Sequence, residues 1–292
     1  MAPLVKLKQA AIPIAYILLT YLYAGYTGQQ NFSSILCIVI PLFLLMLLFY
    51  RLYDQSKLNI LLLTGFIARL ILIFDFPSLS DDIYRFFWDG HLVMNGHNPY
   101  AQLPSVLILE GDVTQSLHHA YEFMNSKNYY SVYPPITQFF FLVAVIISSS
   151  NIILFSIVLS SLFVLIEFSL VYLLFQLFEE FQIPKSNMVF WLLNPFVLIE
   201  FVGNLHFDLI LVFFLILSLL LAIKKRMLLS GLMIGFGLGI KPQILIFAPF
   251  LFLFGTSRAS KLHFVFASGL SGLLIYLPLL LTQFQGFSES ID

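Results

Sequence analysis

The chain has 292 residues, of which 60% are hydrophobic and only 10% charged, and its formal net charge is −1. Soluble globular domains carry about 25% charged residues, so this composition excludes a water-soluble fold and indicates an all-α polytopic membrane protein. The near-zero net charge predicts no nucleic-acid partner. Cys37 is the one cysteine of the sequence, which excludes an internal disulfide and a cysteine metal cluster and predicts a packing role within its apolar run.

Apolar runs along the chain predict about nine transmembrane helices in a single integral membrane domain, residues 1–292. A helix needs about 20 residues to cross a hydrocarbon core of about 30 Å. A break is expected at Lys241-Pro242, because proline interrupts a helix, and the small-residue stripe Gly231, Gly235, Gly237 and Gly239 predicts close helix packing. The runs cover residues 10–27, 33–50, 58–75, 151–178, 187–203, 207–223, 227–240, 244–255 and 262–282.

The basic residues predict the orientation of these spans. A cytoplasmic amino terminus places residues 76–135 outside, as an extracytoplasmic catalytic loop after the third span. Residues 136–150 are marginal in length, and we interpret them as a re-entrant or interfacial segment. With that interpretation every later basic cluster falls on the cytoplasmic side, as the positive-inside rule requires. These clusters are Lys185, Lys224-Lys225-Arg226, and Arg258 with Lys261.

A charged and aromatic island begins with the adjacent carboxylates Asp81 and Asp82. Like-charge repulsion raises the pKa of at least one member of such a pair, which suits a proton acceptor, whereas the structural alternative is a solvated loop with a capping acid. Tyr84, Arg85 and Trp88 follow at spacings that place them with Asp81 on one helix face. Arg85 then either forms a structural ion pair or holds an anionic phosphate.

Two smaller islands are predicted to face the same compartment, and this convergence predicts an active site at the outer membrane surface. In the first, Asn204, His206 and Asp208 are candidate ligands for sugar hydroxyls. The alternatives are an ordinary interfacial histidine and an acid that favours a helix N-terminus. In the second, Lys241 either snorkels to lipid headgroups or neutralises a lipid-linked phosphate.

Seven segments of this sequence resemble a known family. They occur in the order expected of bacterial GT-C type glycosyltransferases, and more narrowly they resemble the polyprenyl-phosphate-mannose-dependent mannosyltransferases of the glycosyltransferase family 87 group. The layout is similar to that of the lumenal mannosyltransferase of the GPI-anchor pathway. The resemblance covers about residues 58–255, and such relatives are expected to continue with further spans. The segments are Leu79 to Arg85, Trp88-Asp89-Gly90, Asn98-Pro99-Tyr100, Tyr133-Pro134-Pro135, Trp191 to Pro195, Gly203 to Asp208 and Ile240-Lys241-Pro242.

The resemblance implies a GT-C-like helical bundle in the bacterial inner (plasma) membrane. It would transfer a hexose, by expectation mannose, with inversion, from a polyprenyl phosphate to a lipid or glycan acceptor on the extracytoplasmic face. Asp81 or Asp82 would be the general base, and Arg85 and Lys241 would stabilise the phosphate while His206 orients it or a sugar. The implied substrate-binding residues are Tyr84, Arg85, Trp88, Asp89, Tyr100, Tyr133, Asn204, His206, Asp208 and Lys241.

No cofactor is expected beyond the lipid-linked donor. Asp81, Asp82 and His206 have side chains that bind divalent ions, but the resemblance implies transfer without a metal. The alternative function is a small-solute or lipid transporter in which the same residues line a pathway, and a third is a catalytically silent scaffold. Transporters more often show inverted repeats and acids at the bilayer midplane, so the clustering of acids beside a 60-residue loop favours the enzyme.

Overall fold

The computed structural model describes residues 2–26, 31–53, 55–111 and 113–282, and every regular element in these ranges is helical. Short 3₁₀ segments at Gln55–Lys57, Lys185–Met188 and Pro242–Phe247 and a π-helical segment at Val197–Gly203 join the α-helices. The α-helices are α1 (Ala2–Tyr26), α2 (Phe32–Leu52), α3 (Leu58–Ile73), α4 (Asp82–Met94), α5 (Pro104–Glu110), α6 (Gln115–Phe123), α7 (Pro135–Ser148), α8 (Ile152–Glu180), α9 (Val189–Leu192), α10 (Asp208–Ile223), α11 (Met227–Leu238), α12 (Ala248–Phe252) and α13 (Arg258–Thr282).

Within the part of the chain that the structure describes, three helical stretches are long and apolar enough to cross a membrane, namely Phe32–Leu52, Ile152–Glu180 and Arg258–Leu277. A fourth is added if Lys185–Leu192 and Val197–Gly203, which are bent by 57°, form one broken span. The other apolar helices have 10–17 residues, or about 15–26 Å at 1.5 Å per residue, which is less than a ~30 Å core. The all-helical membrane class is therefore confirmed, whereas the number of nine spans stays a prediction.

The predicted catalytic loop, residues 76–135, contains the three helices α4, α5 and α6. It is followed by α7, whose 14 residues give a length of about 21 Å. This helix is too short to cross a hydrocarbon core by itself. Its re-entrant character, and the side of the membrane on which the loop lies, stay predictions.

The chain divides into two compact units, and in the first of them α3 packs against α1 and α9. Gly65 of α3 permits this contact, because a Cβ atom there would lie 3.3 Å from both the Cβ and the carbonyl oxygen of Leu192. Cys37 is exposed on α2, so its predicted packing role within the chain is wrong. This unit consists of Met1–Ser80, Ser160–Leu165 and Leu174–His206.

The second unit has α4 packed along α7, and the two helices run in the same direction. The ring of Phe86 stacks on Phe141 with centroids 4.6 Å apart, and one turn later Gly90 approaches the α7 backbone closely. A Cβ atom on Gly90 would lie 2.8 Å from the Phe141 carbonyl oxygen, so only glycine allows this separation. The unit consists of Asp81–Leu159, Ile166–Leu173 and Phe207–Asp292.

Gly231 and Gly235 of the glycine stripe lie in the contact between α11 and α13. A Cβ atom at Gly231 would collide with the Phe264 carbonyl oxygen, and one at Gly235 would collide with the Ser271 side chain. The predicted role of the stripe in helix packing is thereby confirmed for this helix pair.

Candidate active site

The two adjacent acids stand at the beginning of α4. Asp81 is the residue immediately before the helix and Asp82 lies in its first turn, and both are half-buried. Negative charge is favourable at this position because it faces the positive end of the helix dipole. The Asp82 carboxylate accepts a hydrogen bond from the Tyr133 hydroxyl, and burial together with the Asp82 charge raises the pKa of Tyr133 well above its ordinary value. The phenol therefore stays protonated and remains a hydrogen-bond donor to Asp82.

A buried polar network lies one to two turns further along α4 and is centred on Asp89, which is fully buried. Its carboxylate forms an ion pair with Arg85, with Nε and Oδ1 2.7 Å apart. The same carboxylate accepts hydrogen bonds from the Ser131 hydroxyl and from the Gln138 amide nitrogen, the latter at 3.0 Å. Because Gln138 belongs to α7, the network joins α4 to α7 and to the segment that precedes it.

The Nε and Nη1 atoms of Arg85 both donate hydrogen bonds to protein groups. Its Nη1 donates to the carbonyl oxygens of Ser126 at 3.1 Å and Tyr129 at 2.8 Å, and its side chain is 2% exposed. These contacts favour the structural ion pair over the phosphate contact, the two alternatives that the sequence leaves open for this residue.

Three aromatic residues predicted to bind substrate also contact other protein groups. Trp88 is fully buried and lies against Tyr121, with ring centroids 6.1 Å apart. Tyr100 donates its hydroxyl to the Tyr133 carbonyl oxygen at 2.6 Å, and burial raises the pKa of Tyr100 above its ordinary value. Tyr84 is half-buried, and burial and the Asp81 charge raise its pKa. Substrate contacts for Tyr84, Trp88, Asp89, Tyr100 and Tyr133 stay predictions.

Lys241 is not the lone cation that the sequence suggests. Its Nζ lies 2.6 Å from Asp208 Oδ2, and each of the two side chains is 37% exposed. Asp208 opens α10, as predicted, and Lys241 stands between α11 and the 3₁₀ segment that follows it. The ammonium is therefore paired and still accessible from one side.

Asn204 and His206 belong to the first unit, whereas the acids, Asp208 and Lys241 belong to the second. The Asn204 side chain is buried, and its Oδ1 accepts the backbone N–H of Leu79 at 3.2 Å. His206 is 41% exposed, with Nε2 3.6 Å from Glu200 Oε2. The convergence of these two groups of residues on one substrate stays a prediction.

Comparison with known proteins identifies the chemistry. Residues 7–256 match the MptA/B family model described as alpha-(1→6)-mannopyranosyltransferase, N-terminal domain. The chain belongs to this family. No curated protein and no solved structure matches the chain. The protein is therefore a glycosyltransferase of a mannosyltransferase family, which confirms the GT-C-like resemblance, and the family match lends no support to a transporter or a silent scaffold.

Sequence reasoning missed a buried cation of this mannosyltransferase. Arg69 of α3 is 1% exposed, and its Nη1 donates to the Leu192 carbonyl oxygen at 2.7 Å. The Tyr16 hydroxyl donates to the neighbouring Leu193 carbonyl oxygen at 2.9 Å. The two carbonyl groups lie at the end of α9, just before Pro195, which has no N–H to continue the helix. They therefore accept hydrogen bonds from side chains instead. An arginine within an apolar run is a signal that could have found Arg69, whereas nothing local points to Tyr16.

We expect Asn204→Ala to lower both the melting temperature and the rate of mannosyl transfer. The variant leaves the Leu79 N–H without its acceptor, and an unpaired buried polar group costs about 1–3 kcal/mol. Leu79 lies two residues before Asp81, so the lost bond also loosens the backbone that leads into the acids. Thermal unfolding and initial transfer rates in nanodiscs would measure both effects, with the exposed Asn128→Ala as the matched control. Wild-type values for both quantities would contradict this positioning role.

Asp75 lies two residues beyond α3 and lines a cavity of about 500 Å³ together with Tyr21 and Phe74. Burial raises its pKa to about 6, compared with about 3.9 in an unfolded chain. A raised pKa means that the protonated form is favoured by folding, so this contribution to stability is present below the unfolded pKa and is lost as pH rises through about 6.

We therefore expect Asp75→Asn to raise the melting temperature of the mannosyltransferase at pH 7.5. The amide removes the burial cost of the ionised carboxylate, so the variant loses less stability than wild type between pH 5 and pH 7.5. Thermal unfolding of both proteins across this range measures the difference. Identical pH profiles would show that the Asp75 carboxyl is not destabilised by burial.

Proposed function

We propose that this mannosyltransferase moves mannose from a polyprenyl phosphate to a hydroxyl group of a lipid or glycan acceptor. Transfer takes place on the extracytoplasmic face of a bacterial inner membrane and inverts the anomeric carbon. The observation that carries the proposal is the pair of half-exposed acids Asp81 and Asp82 at the start of α4, in a chain that belongs to a mannosyltransferase family.

The reaction is a single displacement. The acceptor hydroxyl oxygen forms a bond to mannose C1 while the bond from C1 to the phosphate oxygen breaks, and the electron pair of that bond leaves with the polyprenyl phosphate. The hydroxyl proton passes to Asp82, the general base. The hydrogen bond from Tyr133 supports this choice, because it fixes the orientation of the carboxylate, and an ionised carboxylate has the acceptor oxygens that a proton acceptor needs.

The departing phosphate needs a positive partner, because it gains charge as the C1–O bond breaks. Lys241 supplies it, since its ammonium is 37% exposed. Arg85, which is buried against Asp89, instead holds α4 in place. His206, at 41% exposed, is available for a sugar hydroxyl.

The test is mannosyl transfer by purified protein in nanodiscs, with polyprenyl-phosphate mannose and a pool of lipid and glycan acceptors. We expect transfer by the wild type and none by a folded Asp81→Asn, Asp82→Asn double variant, and we expect both results to be unchanged by EDTA. Equal transfer by the double variant would refute the proposed base. Movement of the donor lipid across the bilayer without a glycosylated product would favour a transporter instead.

A further inference from the structure

A cavity of about 730 Å³ opens at the end of α4 that is remote from the acids. It lies between the last turn of α4, the beginning of α6 and the turn that follows α7. Asn95 comes from the first of these elements, Gln115 and His119 from the second, and Ser149 and Ser150 from the third. The lining residues that the structure describes include no Asp, Glu, Lys or Arg.

The walls of this cavity are held by hydrogen bonds within the protein. His91 Nε2 donates to the Ser149 carbonyl oxygen at 3.1 Å, which fixes the turn after α7 to α4. Burial lowers the pKa of His91 below its ordinary value, so its imidazole is neutral at pH 7. Thr114 and Ser116, which also line the cavity, share a hydroxyl hydrogen bond at 3.0 Å. The cavity is therefore present before any ligand binds.

The chemistry of the lining selects among ligands. Amide, hydroxyl and neutral imidazole groups supply both hydrogen-bond donors and acceptors, as sugar hydroxyls do. An anion would lack a cationic partner among these residues, and a hydrocarbon chain would leave their polar groups unpaired. The volume lies within the roughly 300–1,000 Å³ range of small-molecule sites.

We propose that this cavity is a subsite for an uncharged oligosaccharide, the part of the acceptor glycan that lies distal to the reacting hydroxyl. Its role as an acceptor subsite rests on the proposed function. His91 stands nine positions beyond Asp82 on the same helix, a separation of about 14 Å along the axis. A single sugar at Asp82 does not reach the cavity, whereas an oligosaccharide of several units does. The subsite therefore makes the enzyme prefer longer acceptors.

The experiment uses the double variant Asn95→Ala, Gln115→Ala of the full chain in nanodiscs. The matched control is Gln102→Ala, Asn125→Ala, which makes the same chemical changes at exposed positions outside the cavity. Calorimetric titration with α-(1→6)-linked mannopentaose, without any donor, measures binding alone. Loss of two hydrogen bonds predicts about tenfold weaker binding by the cavity variant, with the control equal to wild type.

Transfer assays then compare mannopentaose with methyl α-mannoside as acceptors. We expect the ratio of kcat/KM for the long acceptor to that for the short one to fall about tenfold in the cavity variant, in line with the loss of two hydrogen bonds. Equal affinity of wild type and cavity variant, no binding by wild type, or an equal loss for both acceptors would each overturn the subsite. Binding that depends on the cavity but is not accompanied by transfer would uphold the subsite and reject the proposed reaction.

Discussion

Replacing Asp82 by Asn is expected to lower kcat for mannosyl transfer by about 10²–10⁴-fold, the range of a lost general base. Asparagine keeps the shape of the side chain and an oxygen for the Tyr133 hydroxyl, which donates to Asp82 in the wild type, but it does not take up the acceptor proton. The measurement is the initial rate in nanodiscs at saturating donor concentration. Asp81→Asn, assayed in parallel, is expected to lose less activity.

The control for these variants is Glu122→Gln, which neutralises an exposed acid of α6. Thermal unfolding establishes that each variant is folded before its rate is interpreted. If folded Asp81→Asn and Asp82→Asn both keep full activity, neither acid is the base. If Asp81→Asn loses more activity than Asp82→Asn, then Asp81 is the general base and Asp82 is its neighbour.

The second large effect is expected at Lys241. Lys241→Gln should reduce kcat by about 10²–10³-fold, comparable to the removal of one preorganised group that stabilises transition-state charge. Lys241→Arg keeps the positive charge and should recover part of the rate. For each variant, kcat and KM would be measured with polyprenyl-phosphate mannose as the varied substrate.

Asp208→Asn separates a phosphate contact from a purely structural ion pair. It breaks the same 2.6 Å pair but keeps the ammonium, and pairs this exposed contribute only about 0–1 kcal/mol to stability. We expect it to lose much less activity than Lys241→Gln. Similar losses in the two variants would mean that the pair matters for structure and that Lys241 does not serve the phosphate.

The helix that carries the acids was predictable because its signal is local. The spacing of Asp81, Tyr84, Arg85 and Trp88 indicates one helical face, and α4 covers these positions from Asp82 onward. Their burial was not predictable. Arg85 and Trp88 are buried, whereas the acids are half-buried. The groups that cover Arg85 and Trp88 come from α6 and from residues 126–131, which the spacing within α4 does not reveal.

Long-range partners explain the other differences. Lys241 and Asp208 are 33 positions apart, and Arg69 and Leu192 are 123 positions apart. Sequence reasoning identified Lys241 and Asp208 as charges in an apolar setting and missed Arg69, and nothing in the local sequence indicates the partner of any of the three. Hydropathy likewise predicted where the apolar helices lie but not where they end, because breaks such as the one before Pro195 depend on carbonyl acceptors that Arg69 and Tyr16 satisfy.

The way α4 is anchored bears on how such enzymes diversify. Its middle is fixed by Gly90 against α7 and by the Asp89 network, the acids stand at its beginning, and its last turn lines the cavity. A structural shift caused by a substitution at the cavity end would therefore have to pass through this rigid section before it changed the position of the acids. Acceptor preference is free to drift during evolution while the reacting end of the helix keeps its geometry.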